Sequence, residues 1–101
     1  MIIINAVECS DVSRVCCMAT AYLESPEVSR ICTDNRDVES CINSTFGRGK
    51  CLYAENLVAM WLSARPDDCL IITKFYNAHS SVFEDIMVQY PVLEINDVEV
   101  V

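Results

Sequence analysis

Ile2-Ile3-Ile4-Asn5, followed by the turn Ala6 to Ser10 and the helical pattern Asp11 to Leu23, is the stretch on which the fold is decided. Three β-branched residues in succession suit a strand buried on both faces, since a half-exposed strand would alternate apolar with polar. Such a strand needs helices above and below it. The following residues supply the first one. Val12, Val15, Cys16, Ala19, Tyr22 and Leu23 recur with helical spacing, and Ser13, Arg14, Cys17, Thr20 and Glu24 take the opposite face. Ser10 or Asp11 is the expected N-cap.

Outward from there the pattern repeats. Val28 to Cys32 is ambiguous: Ser25-Pro26-Glu27 is a sound helix start, but a strand here would pair with the first, and the strand reading is preferred. Asp34 or Asn35 opens a helix with Val38, Cys41, Ile42 and Phe46 inward and Gly47 as its C-cap. A further helix is read from about Leu52 to Ala64, stopping before Pro66. Cys69-Leu70-Ile71-Ile72-Thr73 is the second clear strand, read as reaching Tyr76. A helix starting at Asn77 or His79 buries Val82, Phe83, Ile86 and Met87 and ends at Pro91. Val92 to Val101 reads as a terminal strand at an edge. The expected fold is therefore α/β, a compact single-domain sandwich over residues 1–101, with three to four mostly parallel strands covered by helices.

Composition narrows the function classes. The chain has 101 residues, of which 52% are hydrophobic, enough to bury a core without metals or disulfides. Its start has no basic flank and too short an apolar run for a signal peptide, and no run approaches the roughly 20 apolar residues of a membrane span. The expectation is a cytoplasmic protein without membrane contact. Fifteen acids against seven bases give a net charge of −8. Such a surface is repelled by phosphate backbones, which disfavours direct nucleic-acid binding, and it suits a protein partner with a basic surface.

Seven cysteines accompany a single histidine. The odd count argues against a closed disulfide framework, and in a reducing compartment free cysteine packs as a small hydrophobe. No CxxC occurs, and the only adjacent pair, Cys16-Cys17, points about 100° apart on a helix, so no metal site is expected. Cys16, Cys32, Cys41 and Cys69 fall on apolar faces, whereas Cys9, Cys17 and Cys51 do not. The basic turn Gly47-Arg48-Gly49-Lys50 lacks the spacing of a phosphate-binding P-loop, and the first turn lacks the glycines of a dinucleotide fingerprint. No cofactor is implied.

In a parallel sheet, ligands lie beyond the carboxyl ends of the strands. That rule selects Asn5, Ser10 and Asp11 after the first strand, Asn35 and Arg36 after the second segment, and Asn77 after the third. His79, Glu8 and Cys9 are the candidates for chemistry: an imidazole that titrates near neutrality, a carboxylate, and a thiol close to a helix start. Each also has a structural reading as a cap, a dipole partner or a packed side chain.

The run Ile4-Asn5-Ala6-Val7 feeding a helix resembles the opening of small viral α/β proteins of the anti-CRISPR ring-nuclease family. The resemblance covers the first strand and the turn into the first helix. It implies a similar architecture and a nucleotide ligand. The Gly-His element that carries catalysis in that family has no counterpart, because Ala78 precedes His79. Two functional expectations follow. The first is a non-catalytic regulatory module that binds a basic protein partner, with homodimerisation through the C-terminal strand as an added expectation. The alternative is a small nucleotide-binding or nucleotide-cleaving protein with its site at the carboxyl ends of the strands.

Overall fold

The computed structural model describes residues 1–74 and 80–95. Five strands, β1 (Ile2–Asn5), β2 (Arg30–Thr33), β3 (Cys51–Tyr53), β4 (Asp68–Ile72) and β5 (Val92–Glu94), alternate with helices α1 (Val12–Glu24), α2 (Arg36–Phe46), α3 (Leu57–Ser63) and α4 (Ser80–Gln89). All strand pairs are parallel, in the order β3-β2-β4-β1-β5. The α/β reading holds.

The two apolar runs seen in the sequence become the neighbouring strands β1 and β4, paired from Ile2↔Cys69 to Asn5↔Ile72. All five residues of β4 are buried, as a strand covered on both faces requires. Alternate side chains go to opposite faces. Ile4, Ile31, Cys69 and Ile71 meet Val15, Cys16 and Ala19 of α1 and Val38 and Ile42 of α2. Ile3, Cys32, Leu70 and Ile72 meet Leu57 and Met60 of α3 on the other side. Tyr90, just past α4, packs on this second cluster, its ring centroid 5.7 Å from that of Trp61.

Handedness explains which face each helix takes. From β1 to β2 to β3 the chain moves in one direction across the sheet, and α1 and α2 lie on one face. From β3 to β4 it moves back, and α3 lies on the other face. Crossovers of one hand demand that a reversal of direction be accompanied by a change of face.

Several sequence readings are corrected or refined. The ambiguous segment around Val28–Cys32 is a strand, displaced to Arg30–Thr33. The helix expected from Leu52 is overturned at its start: Cys51–Tyr53 is β3, in register with β2 from Ile31↔Cys51 to Thr33↔Tyr53. The helix begins only at Leu57, because Asn56 caps it by accepting from the Ala59 N–H at 2.9 Å. β4 ends at Ile72, short of Tyr76, which lies outside the described residues together with Asn77 and His79. The inward stripe read for α4 also lies outside the described side chains. β5 is an edge strand as read, and residues 96–101 of the expected terminal strand are outside the described set.

None of the seven cysteines is in a disulfide. Cys16, Cys32 and Cys69 are buried as read, whereas Cys41 is only half-buried because it sits beside a groove between α1 and α2. No helix among the described residues is long and apolar enough to cross a membrane.

Candidate functional site

β2 and β4 are neighbours whose onward connections leave in opposite directions, β2 toward β3 and β4 toward β5. Such a switch point leaves a crevice beyond the carboxyl ends of the two strands. A cleft of about 450 Å³ lies there, within the range of small-molecule sites.

Asp34 builds its floor. This side chain directly follows β2 and is fully buried. Its Oδ1 accepts from the Thr73 backbone N–H at 2.9 Å and from the Thr73 hydroxyl at 2.7 Å, and its Oδ2 accepts from the Lys74 N–H at 3.2 Å. A buried carboxylate needs such donors, and here they tie the turn after β4 to the turn after β2. Thr33 repeats the theme locally, its hydroxyl accepting from the Asn35 N–H at 3.2 Å. Asn35 caps α2, its Oδ1 accepting from Asp37 N at 2.8 Å and Val38 N at 3.2 Å.

Arg36, Lys74 and Tyr53 give the cleft its recognition chemistry. The Arg36 guanidinium lies 3.6 Å from the centroid of the Tyr53 ring, a cation–π contact. It also donates to Glu39 Oε1 at 2.9 Å, and that hydrogen bond pushes its pKa further above the ordinary value. Arg36 therefore stays charged, largely exposed at the cleft mouth. Lys74 is exposed on the opposite wall. Two of the seven basic residues of an acidic chain thus line one cleft.

The third wall comes from the turn between β1 and α1. Cys9 and Ser10 of the turn, with Val12 at the start of α1, line the cleft there. The Cys9 thiol donates to the Asp11 carbonyl at 3.7 Å, and the Cys9 N–H donates to Ala6 O at 3.1 Å.

Of the residues selected from the sequence, the fold brings Cys9, Ser10, Asn35 and Arg36 together around this cleft. It leaves Asn5, Asp11 and Glu8 apart. Asn5 closes its own turn, with Oδ1 accepting from the Val7 N–H at 3.3 Å. Asp11 is the N-cap of α1, accepting from the Arg14 N–H at 3.4 Å, and does not line the cleft. Glu8 is exposed on the turn and likewise does not line it. His79 and Asn77 lie outside the described residues.

Sequence reasoning missed Tyr53, Thr73 and Lys74. The first was absorbed into an overlong helix and the other two into an overlong strand. The signal was present: had β4 been ended at Ile72, the carboxyl-end rule would have selected Thr73 and Lys74 as it selected Asn35.

At the other end of the same two strands a second polar cluster forms. Asp68, with a fully buried side chain, receives Arg30 Nε at 3.2 Å and Nη2 at 2.8 Å, the Arg65 N–H at 2.8 Å and the Cys32 thiol at 3.3 Å. Burial, reinforced by the Asp68 charge, pushes the Cys32 thiol up to about 12. This cluster is closed and braces the sheet. Among the described residues, no group of three or more His, Cys, Asp or Glu side chains is arranged to hold a metal.

Comparison of the chain with protein-family models, with curated proteins and with solved structures gave no match, so the reading of the cleft rests on its own chemistry.

Proposed function

We propose that this protein binds a small phosphate-bearing molecule, the nucleotide class included, in the cleft beyond β2 and β4. The observation that carries the reading is the pairing of Arg36 and Lys74 across a cleft at the switch point of the sheet, in a chain whose net charge is −8. Cations are scarce here, and placing two of them at the locus where parallel sheets take ligands concentrates positive potential where the rest of the surface repels anions. Tyr53 holds the Arg36 guanidinium in place, which limits the ordering entropy lost on binding.

The test is a thermal-shift and calorimetric panel of inorganic phosphate, pyrophosphate, nucleoside mono- and triphosphates and cyclic oligonucleotides. A ligand at 100 times its Kd adds about 2.7 kcal/mol, which raises Tm by roughly 10 to 20 °C in a domain of this size. Arg36→Ala combined with Lys74→Ala should abolish the shift while leaving the unliganded Tm close to that of the parent. A flat response across the panel retires the reading.

A second reading is an acidic interaction module for a basic protein partner. It is favoured by the exposure of Glu24, Glu27, Asp37, Glu55, Asp67 and Glu84, distributed over several elements. β5, an edge strand, is where self-pairing would occur in that reading. Neutralising Glu27, Glu55 and Asp67, which line neither the cleft nor the groove, should weaken such an association. Both readings suit a cytoplasmic protein.

A further inference from the structure

We infer that the ligand of the cleft is an aliphatic phosphate monoester, whose phosphate lies between Arg36 and Lys74 and whose hydrocarbon body lies in the groove between α1 and α2. This rests on the phosphate-binding reading and narrows it. The groove measures about 520 Å³, and Val12 is a wall common to it and to the cleft. Beyond Val12 the lining changes character. Cys16, Cys17 and Thr20 of α1 face Cys41 of α2, with Asp37 exposed at the rim. Thiols behave as small, soft hydrophobes.

Burial, together with a hydrogen bond to Cys41, pushes the Cys16 thiol up to about 12, so that thiol is uncharged at neutral pH. Among the described residues no aromatic ring lines the groove, so these walls offer a nucleobase no stacking surface, whereas a flexible chain can follow thiols and methyl groups. A charged end and an apolar end joined through one residue describe an amphipathic anion.

The experiment measures binding of inorganic phosphate and of butyl, hexyl and octyl phosphate to the full chain, below their micellar concentrations, with octanol and adenosine monophosphate as controls. Affinity should rise about fourfold for each methylene that enters the groove and should fall to the octanol level in Arg36→Ala/Lys74→Ala. The cysteines supply an independent footprint. Octyl phosphate should slow alkylation of both Cys9, in the cleft, and Cys17, in the groove, whereas inorganic phosphate should slow Cys9 alone. Cys17→Trp, at an exposed position, should erase the dependence on chain length.

Phosphate binding that is indifferent to chain length, or adenosine monophosphate binding tighter than octyl phosphate, overturns this inference and leaves the cleft reading standing. Octanol binding as tightly as octyl phosphate, or no binding by any probe, overturns both.

Discussion

Deleting the Asp68 carboxylate should be among the most damaging single changes this protein can receive. Asp68 and Arg30 are direct register partners on adjacent strands, and the side chains are 0% and 16% exposed. Asp68→Ala strands a guanidinium with little access to water and also leaves the Arg65 N–H and the Cys32 thiol without their acceptor. Breaking a buried pair from one side costs about 3–5 kcal/mol. Against a total stability of about 5–15 kcal/mol, that is a large share, and at roughly 4–8 °C per kcal/mol it lowers Tm by more than 12 °C.

Asp68→Asn keeps the shape but turns an amide N–H₂ toward donors, so it should recover only part of the loss. Arg30→Met/Asp68→Ala removes the orphaned charge as well, and should be less damaging than the sum of its singles by about 1–3 kcal/mol. Urea unfolding followed by far-ultraviolet circular dichroism measures the parent, both Asp68 variants, Arg30→Met and the double variant. If Asp68→Ala and Asp68→Asn both fall within about 1 kcal/mol of the parent with an unchanged m-value, the pair is not a brace and the reasoning is wrong.

Asp34→Asn should cost about 1.5–3 kcal/mol, because one of its oxygens becomes a donor facing the N–H groups of Thr73 or Lys74; it should also weaken any anion bound in the cleft, and equal stability and affinity would refute the clamp. Gly47→Ala tests backbone conformation alone: Gly47 closes α2 at φ +84° and ψ 177°, with nothing within 4 Å of an added Cβ. A loss of about 1–3 kcal/mol in chemical denaturation is expected there, and a neutral result would refute the assigned cap.

Alkaline pH should destabilise the fold. Burial pushes the fully buried Cys32 and Cys69 thiols from 9.0 up to about 12. The folded state therefore holds protons that the unfolded state releases, and the stability present below pH 9 is lost as pH rises toward 12. Each thiol contributes at most about 1.4 kcal/mol per pH unit. A urea midpoint that does not move between pH 8 and pH 10.5 would contradict this.

The sequence made some of this legible and concealed the rest for identifiable reasons. Ile2–Ile4 and Cys69–Ile72 announced buried strands because an unbroken apolar run with β-branched residues has few other uses. Cys51-Leu52-Tyr53 announced nothing. Three residues span too little chain to show a period, and apolar Leu52 lies only five residues before Leu57, close enough to be read into the same helix. Its strand character comes from pairing with β2, a tertiary effect. The cleft was half visible because capping residues such as Asn35 mark both a helix start and a strand's carboxyl end. Arg30 and Asp68 stand 38 residues apart, and no local pattern joins them.

What the sequence withheld most completely was the strand order, and the cleft depends on it. With β4 inserted between β2 and β1, the turns bearing Asp34 and Lys74 become neighbours although 40 residues separate them. The same order sends the chain from β2 and from β4 toward opposite sides of the sheet, to β3 and to β5. Asp34 then stabilises that arrangement by accepting from both residues of the opposing turn. A single buried carboxylate thus fixes the spacing of the two walls that carry Arg36 and Lys74. Mutations that loosen it should therefore weaken anion binding even where both cations remain.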